Sequence, residues 1–178
     1  ADVSGKGIPA AMFMMTAKTI IKDLAESGMA VNDIFTRANE KLCENNEADM
    51  FVTAWMGILD LQTGNMKYAN AGHNPPLLKR ADGSFEYLRS RAGFVLAGIE
   101  GFNYRINELQ LKAGDRLFLY TDGVPEATNA ESELYGEDRL LNFMNQNTVA
   151  PATELLPALK ADIDAFVGEA PQFDDITM

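Results

Sequence analysis

Three sets of aspartates stand where a carboxylate is costly. Asp2 sits in the opening stretch ADVSGKGIPA, just ahead of a helical pattern. Asp122 follows the apolar run LFLY and precedes Gly123. Asp174 and Asp175 lie between Phe173 and Ile176. A carboxylate at the end of a buried strand loses hydration and needs something positive to meet it. The local sequence supplies no Lys or Arg beside Asp122 or beside Asp174 and Asp175. A divalent cation meets that need, and hard oxygen ligands select Mg²⁺ or Mn²⁺ over Zn²⁺. Turn capping is the competing account. It explains Thr121-Asp122-Gly123 equally well, but it explains all three sets together less well. Other acids, such as Asp23, Glu26, Glu40, Asp162 and Asp164, fall on helix faces and are read as solvated.

Alternative chemistries lack their residues. A phosphate-binding P-loop needs Gly, four residues, then Gly-Lys-Ser/Thr; Gly5-Lys6 is followed by Gly7 and has no Gly five positions earlier. Ser4 is not in a Gly-x-Ser-x-Gly elbow. His73 is the only histidine, which excludes a histidine-rich zinc site. Within AGHNPP it reads as a turn-forming hydrogen-bonder rather than a catalytic base. Cys43, the single cysteine, excludes an intrachain disulfide and fits a reducing, cytoplasmic setting. On a helical pattern it reads as a small core hydrophobe. A net charge of -11 argues against nucleic-acid binding, which wants a basic face. No apolar run approaches the length of a membrane span, and no signal peptide is legible.

The elements that must position these residues follow from periodicity. Residues 8–27 carry a helical stripe through Phe13, Ala17, Ile20, Ile21 and Leu24, with Pro9 in the first turn and Gly28 as the stop. A second helix is predicted over 32–45. Four methionines fall within residues 1–30 and are expected to be adaptable core. The period then changes. Segments 51–61 and 66–73 form a hairpin around Gln62-Thr63-Gly64-Asn65. Segment 77–88 forms another, with Asp82-Gly83 as a two-residue turn. Segment 104–111 alternates, and 117–120 reads as a buried strand. Helices are predicted over 136–146 and 153–167, with Pro157 near the start of the second. Residues 171–178 are expected to close the chain as a short strand. Short turns between strands argue for antiparallel sheets covered by helices, in one domain spanning 1–178.

The motifs also carry a resemblance. DVSGKGIPAA, FVTAWMGILD, YANAGHNPPLL, GDRLFLYTDGVPEA and FDDIT occur in that order over nearly the whole chain. Together they resemble the bacterial SpoIIE/RsbU branch of the metal-dependent type-2C protein serine/threonine phosphatases. The resemblance implies an α+β fold of two antiparallel sheets sandwiched between helix pairs. It implies a phosphatase that hydrolyses phosphoserine or phosphothreonine with water activated by two Mn²⁺ or Mg²⁺ ions. Carried over residue by residue, Asp2, the Val3 carbonyl, Asp122 and Asp174 match the metal ligands, with Asp2 bridging. The three aspartates are the catalytic set. The roles of Lys6, His73 and Asp175 stay open. The implied substrate is an anti-sigma-factor antagonist of the STAS type, and the implied parent carries an upstream sensor or receiver domain.

Two features depart from the pattern. The branch commonly has His where this chain has Lys6. It also has an earlier strand with a Gly-Asp acidic motif, and this chain, which has no initiator Met, begins after that point. The chain is therefore read as an N-terminally truncated fragment, with an exposed edge open to homodimerisation. Activity is expected of the parent, and weak or no activity of this chain. The alternative reading is a non-catalytic, degenerate phosphatase module that binds a partner and transmits a signal.

Overall fold

The computed structural model describes residues 1–44, 46–172 and 174–178. The fold class is α+β, with two antiparallel sheets and four helices among the described residues, as the sequence predicts. The chain divides into two compact units. The first comprises Ala1–His73 and Ser90–Leu111, the second Asn74–Arg89 and Lys112–Met178.

In the first unit, β1 (Asp2–Val3), β2 (Val52–Leu59), β3 (Asn65–Ala71) and β6 (Asn107–Gln110) form one sheet in the order β1-β2-β3-β6. Its helices are α1 (Gly7–Glu26) and α2 (Val31–Cys43). Gly28, at φ +75°, supplies the left-handed residue that ends α1, and its N–H is accepted by the Ala25 carbonyl. Val31, Ile34, Phe35, Ala38 and Leu42 recur at helical spacing on α2 and are fully buried. They pack with Ala54, Ala69 and Ala71 of the sheet, whose small side chains let the helix layer approach closely.

The methionines depart from expectation. Met12, Met14 and Met15 are exposed rather than core. The helix phase explains this. Ala10, Ala17 and Leu24, seven apart, form the buried stripe of α1, and Ile8, Met12 and Met15 form a stripe on the other side. Cys43 is half-buried, and burial pushes its thiol up, which keeps it protonated and poorly nucleophilic.

One polar residue organises the long connection before β6. Asn39 of α2 is completely buried. Its Oδ1 accepts from the Ala97 N–H at 2.9 Å and from the Tyr104 hydroxyl at 3.3 Å. Its Nδ2 donates to the Ile99 carbonyl at 2.8 Å. The Tyr104 hydroxyl also reaches the Val95 carbonyl at 3.1 Å, and the Tyr104 N–H donates to Thr36 Oγ1 at 3.3 Å. Backbone bonds in both directions between Val52 and Leu96 complete the anchorage.

In the second unit, β4 (Leu77–Lys79), β5 (Phe85–Tyr87) and β7 (Arg116–Phe118) form a sheet in the order β5-β4-β7. Its helices are α3 (Gly136–Gln146) and α4 (Ala152–Val167). Leu77, Phe85, Val124, Leu140, Met144, Leu159 and Ile163 form its core. Full burial of such a side chain contributes about 1.5–3 kcal/mol. Asn145 extends the ladder at the edge strand: its Oδ1 accepts the Phe85 N–H and its Nδ2 donates to the Phe85 carbonyl. Pro157 lies in the second turn of α4, and the helix runs on through it.

Four expectations are corrected here. The loop between β4 and β5 has Lys79 paired with Phe85, so residues 80–84 lie between them and Asp82-Gly83 is not a two-residue turn. The cause lies outside the hairpin, because Asp115 Oδ1 accepts the Ala81 N–H and its Oδ2 accepts from Arg80. The strand expected over 117–120 stops at Phe118, and Leu119 is partly exposed. No strand forms among the described residues of 171–178. Asp162 is not simply solvated, because it accepts a 2.6 Å hydrogen bond from the Tyr135 hydroxyl. Among the described residues, no helix is long and apolar enough to cross a membrane.

Two outcomes follow. Asn39→Ala leaves the Ala97 N–H and the Ile99 carbonyl without their buried partner and should cost about 1–3 kcal/mol in urea denaturation. Arg80, followed by the Lys112 and Ala81 N–H groups, holds the Asp115 carboxyl below its ordinary value of 3.8. Its contribution is therefore full above that value and is lost as pH falls through the lowered one. Stability measured against pH should show an acid loss in the native chain that is smaller in Asp115→Asn.

Candidate functional site

In the first unit, Asp2 and Val3 are held as a strand by β2, with Asp2 opposite Thr53 and Val3 opposite Val52. The Ser4 N–H donates to the Phe51 carbonyl at 2.9 Å, and Ser4 Oγ accepts from the Phe51 N–H at 2.8 Å. The chain then turns into α1 through Gly5 and Gly7, at φ +78° and +79°. A side chain would strain that backbone, so the glycines serve the turn. Lys6, between them, is extended and occupies the N-cap position of α1.

His73 lies beside this strand pair. It is buried, and its Nδ1 is 2.8 Å from Thr53 Oγ1, on the residue paired with Asp2. Its N–H donates to Asn70 Oδ1, and its carbonyl accepts from Asn70 Nδ2. These bonds fit the turn-forming hydrogen-bonder read from the sequence.

The second unit brings Asp122 and the tail acids onto neighbouring segments. Thr121 makes the join. Its N–H donates to the Thr177 carbonyl at 3.1 Å, its Oγ1 donates to the Asp175 carbonyl at 3.2 Å, and Oγ1 accepts the Thr177 N–H at 3.1 Å. Gly123 lies against the same tail. A Cβ there would fall on the Asp175 carbonyl, 2.9 Å from its carbon. The Asp122 carbonyl caps the following turn by accepting the Glu126 N–H. Asp122 Oδ1 is buried and has no hydrogen-bond partner among the described residues. Asp174 is half-buried, and its Oδ1 accepts the Asp175 N–H at 2.8 Å, while Asp175 itself is exposed.

Asp122 Oδ1, buried and without a hydrogen-bond partner among the described residues, is an oxygen donor of the kind a divalent cation takes. Among the described residues, no three His, Cys, Asp or Glu side chains are gathered closely enough to hold one. Sequence reasoning missed Thr121. The signal available was its place before Asp122, where a hydroxyl can bond two backbone groups at once. Gly123→Ala should cost about 1–3 kcal/mol by overpacking and expose the tail, seen as faster carboxypeptidase trimming and a lower melting temperature.

The comparisons agree on one family. The model of the Stage II sporulation protein E (SpoIIE) family matches residues 1–178. Protein IcfG of Synechocystis sp. is 30% identical over 99% of this chain and 32% of its own length. Phosphoserine phosphatase RsbU of Bacillus subtilis is 30% identical over 88% of this chain and 46% of its own. The chain thus spans about a third to a half of the curated relatives it matches. The SiaA-PP2C domain of Pseudomonas aeruginosa superposes with a TM-score of 0.83 at 21% identity, over 98% of this chain and 69% of that one. This structural likeness establishes the fold, and the match along the full sequence shows that the chain belongs to the SpoIIE family.

Proposed function

We propose that this chain is the phosphatase domain of a metal-dependent protein serine/threonine phosphatase. Its substrate is phosphoserine or phosphothreonine on a bacterial regulatory protein of the anti-sigma-factor-antagonist type. The observation that carries the reading is the buried Asp122 Oδ1, without a partner among the described residues, beside a tail segment fixed by Thr121. A relative named as a phosphoserine phosphatase supports the reaction class.

Asp2, the Val3 carbonyl, Asp122 and Asp174 would hold two Mn²⁺ or Mg²⁺ ions. Bound divalent cations supply an acidified water and neutralise phosphate charge. The chain's own part is to fix the donors. The β2 ladder sets Asp2 and the Val3 carbonyl, and Thr121 sets the path of the tail that carries Asp174. With a net charge of -11, the protein has little of its own to attract a phosphate, so cations there serve binding as well as reaction.

A second reading is a non-catalytic partner-binding module. Lys6, at the position where this branch commonly has His, favours it. Titration with Mn²⁺ separates the two. At a hundred times its dissociation constant, Mn²⁺ should stabilise the parent protein that carries this domain by about 2.7 kcal/mol and switch on its hydrolysis of p-nitrophenyl phosphate and a phosphoserine peptide. Asp122→Asn should lose most of that stabilisation and the hydrolysis. Without metal, the same variant should melt higher by roughly 2–4 °C, since it removes about 1 kcal/mol of unsatisfied buried charge. A parent protein whose melting temperature and hydrolysis ignore Mn²⁺ would establish the non-catalytic reading instead.

A further inference from the structure

The connection between β5 and β6 has no regular secondary structure through residues 90–105 beyond isolated bridges. Connections this long are uncommon in compact domains and are usually either functional or disordered. This one is not loose. Gly93 donates to the Asn70 carbonyl at 2.7 Å, Leu96 is bonded to Val52 in both directions, and Asn39 holds Ala97, Ile99 and Tyr104. The rigid loop surrounds a cleft of about 440 Å³ lined by Arg91, Phe94, Phe102, Asn103 and Arg105, among others. That volume is within the range of ligand sites.

The lining is unusual for this chain. Phe94 is 46% exposed and packs against Phe102 with ring centroids 6.5 Å apart. Arg91 and Arg105 are exposed, and neither has an ion-pair or hydrogen-bond partner among the described residues. In a chain with 26 acids and 15 basic residues, two unpaired guanidiniums on one cleft mark a place where negative charge is wanted. Each guanidinium can grip a carboxylate with two parallel hydrogen bonds. The phenylalanines beside them offer an apolar seat. A lone small anion would use the arginines and leave the rings idle. An acidic peptide carrying an apolar residue uses both.

The cleft's loop is also close in register to the first-unit ligands. Val52 pairs with Val3 on one side and bridges to Leu96 on the other. Adjacent strands lie about 4.8 Å apart, so the loop backbone at Leu96 is about two strand spacings from β1.

We infer that the Arg91–Phe94–Phe102–Arg105 cleft docks an acidic, apolar-containing segment of the protein on which this domain acts. The inference rests on the proposed protein-directed function. It adds a second point of contact that recognises sequence around, rather than at, the phosphorylated residue. Steering by such a patch offsets the repulsion that two acidic proteins otherwise feel.

The test is fluorescence anisotropy with a labelled peptide of alternating glutamate and leucine, using metal-free protein in chelator. Binding is expected, weakening at high ionic strength, with a control peptide of glutamine and leucine binding poorly. The double variant R91Q/R105Q should bind about tenfold more weakly, and Phe94→Ser should weaken binding too, both with unchanged far-UV circular dichroism. Arg37→Gln, which removes an exposed charge from α2, should leave binding unchanged. The inference is overturned if wild-type protein does not bind the acidic peptide, or if R91Q/R105Q binds it as well as wild type. It is equally overturned if Arg37→Gln weakens binding as much, or if inorganic phosphate displaces the peptide where sodium chloride of equal ionic strength does not. Because no metal is needed, peptide binding persists even if the Mn²⁺ experiment fails, so the two readings fail separately.

Discussion

The second unit turns on a carboxylate that is buried on one side and, among the described residues, unanswered. Asp122 Oδ1 has lost water and met no donor among them, a cost of the order of 1–3 kcal/mol. The neighbouring structure keeps it there. Thr121 uses its N–H and both functions of its hydroxyl on the tail, and Gly123 lets that tail lie against the turn without a Cβ between them. Thr121 and Gly123, the residues on either side of Asp122, thus hold an electrostatically unfavourable arrangement. Such strain is retained where something else is meant to relieve it.

The first unit solves a different problem. Two residues are too few to make a stable strand alone, and Asp2–Val3 exists because β2 already does. The β2 strand in turn is braced by β3 and by the helix layer that packs on its alanines. His73 and Asn70 close the turn after β3 and tie it to Thr53, opposite Asp2. The position of the first candidate ligand is therefore set by residues some fifty to seventy places further along the chain.

Local patterns were the legible part. Helical periodicity located all four helices of the described structure to within a few residues, because buried side chains recur at the helix period whatever they pack against. The five ordered motifs pointed to the family. What stayed hidden was decided at a distance. Asp115 reshapes the loop at Asp82-Gly83 from thirty-odd residues away. The exposure of Met12 and Met15 depends on which side of α1 meets the core, and composition does not carry that phase. The tail looked like a strand because its residues favour one, yet its partners are the backbone and hydroxyl of Thr121 rather than a ladder. Arg91 and Arg105 were unremarkable in sequence. Only the loop's path sets them around one cleft.

The Asn39 amide has a consequence for how this domain can diversify. It grips the long loop through main-chain atoms at Ala97 and Ile99, and its further partner on the loop, Tyr104, is buried. The side chains that line the cleft take no part in that grip. The loop's course is thereby uncoupled from its surface chemistry. Residues such as Arg91, Phe94 and Asn103 can be exchanged without redrawing the backbone that presents them. A single buried asparagine makes this segment a fixed frame with an interchangeable face.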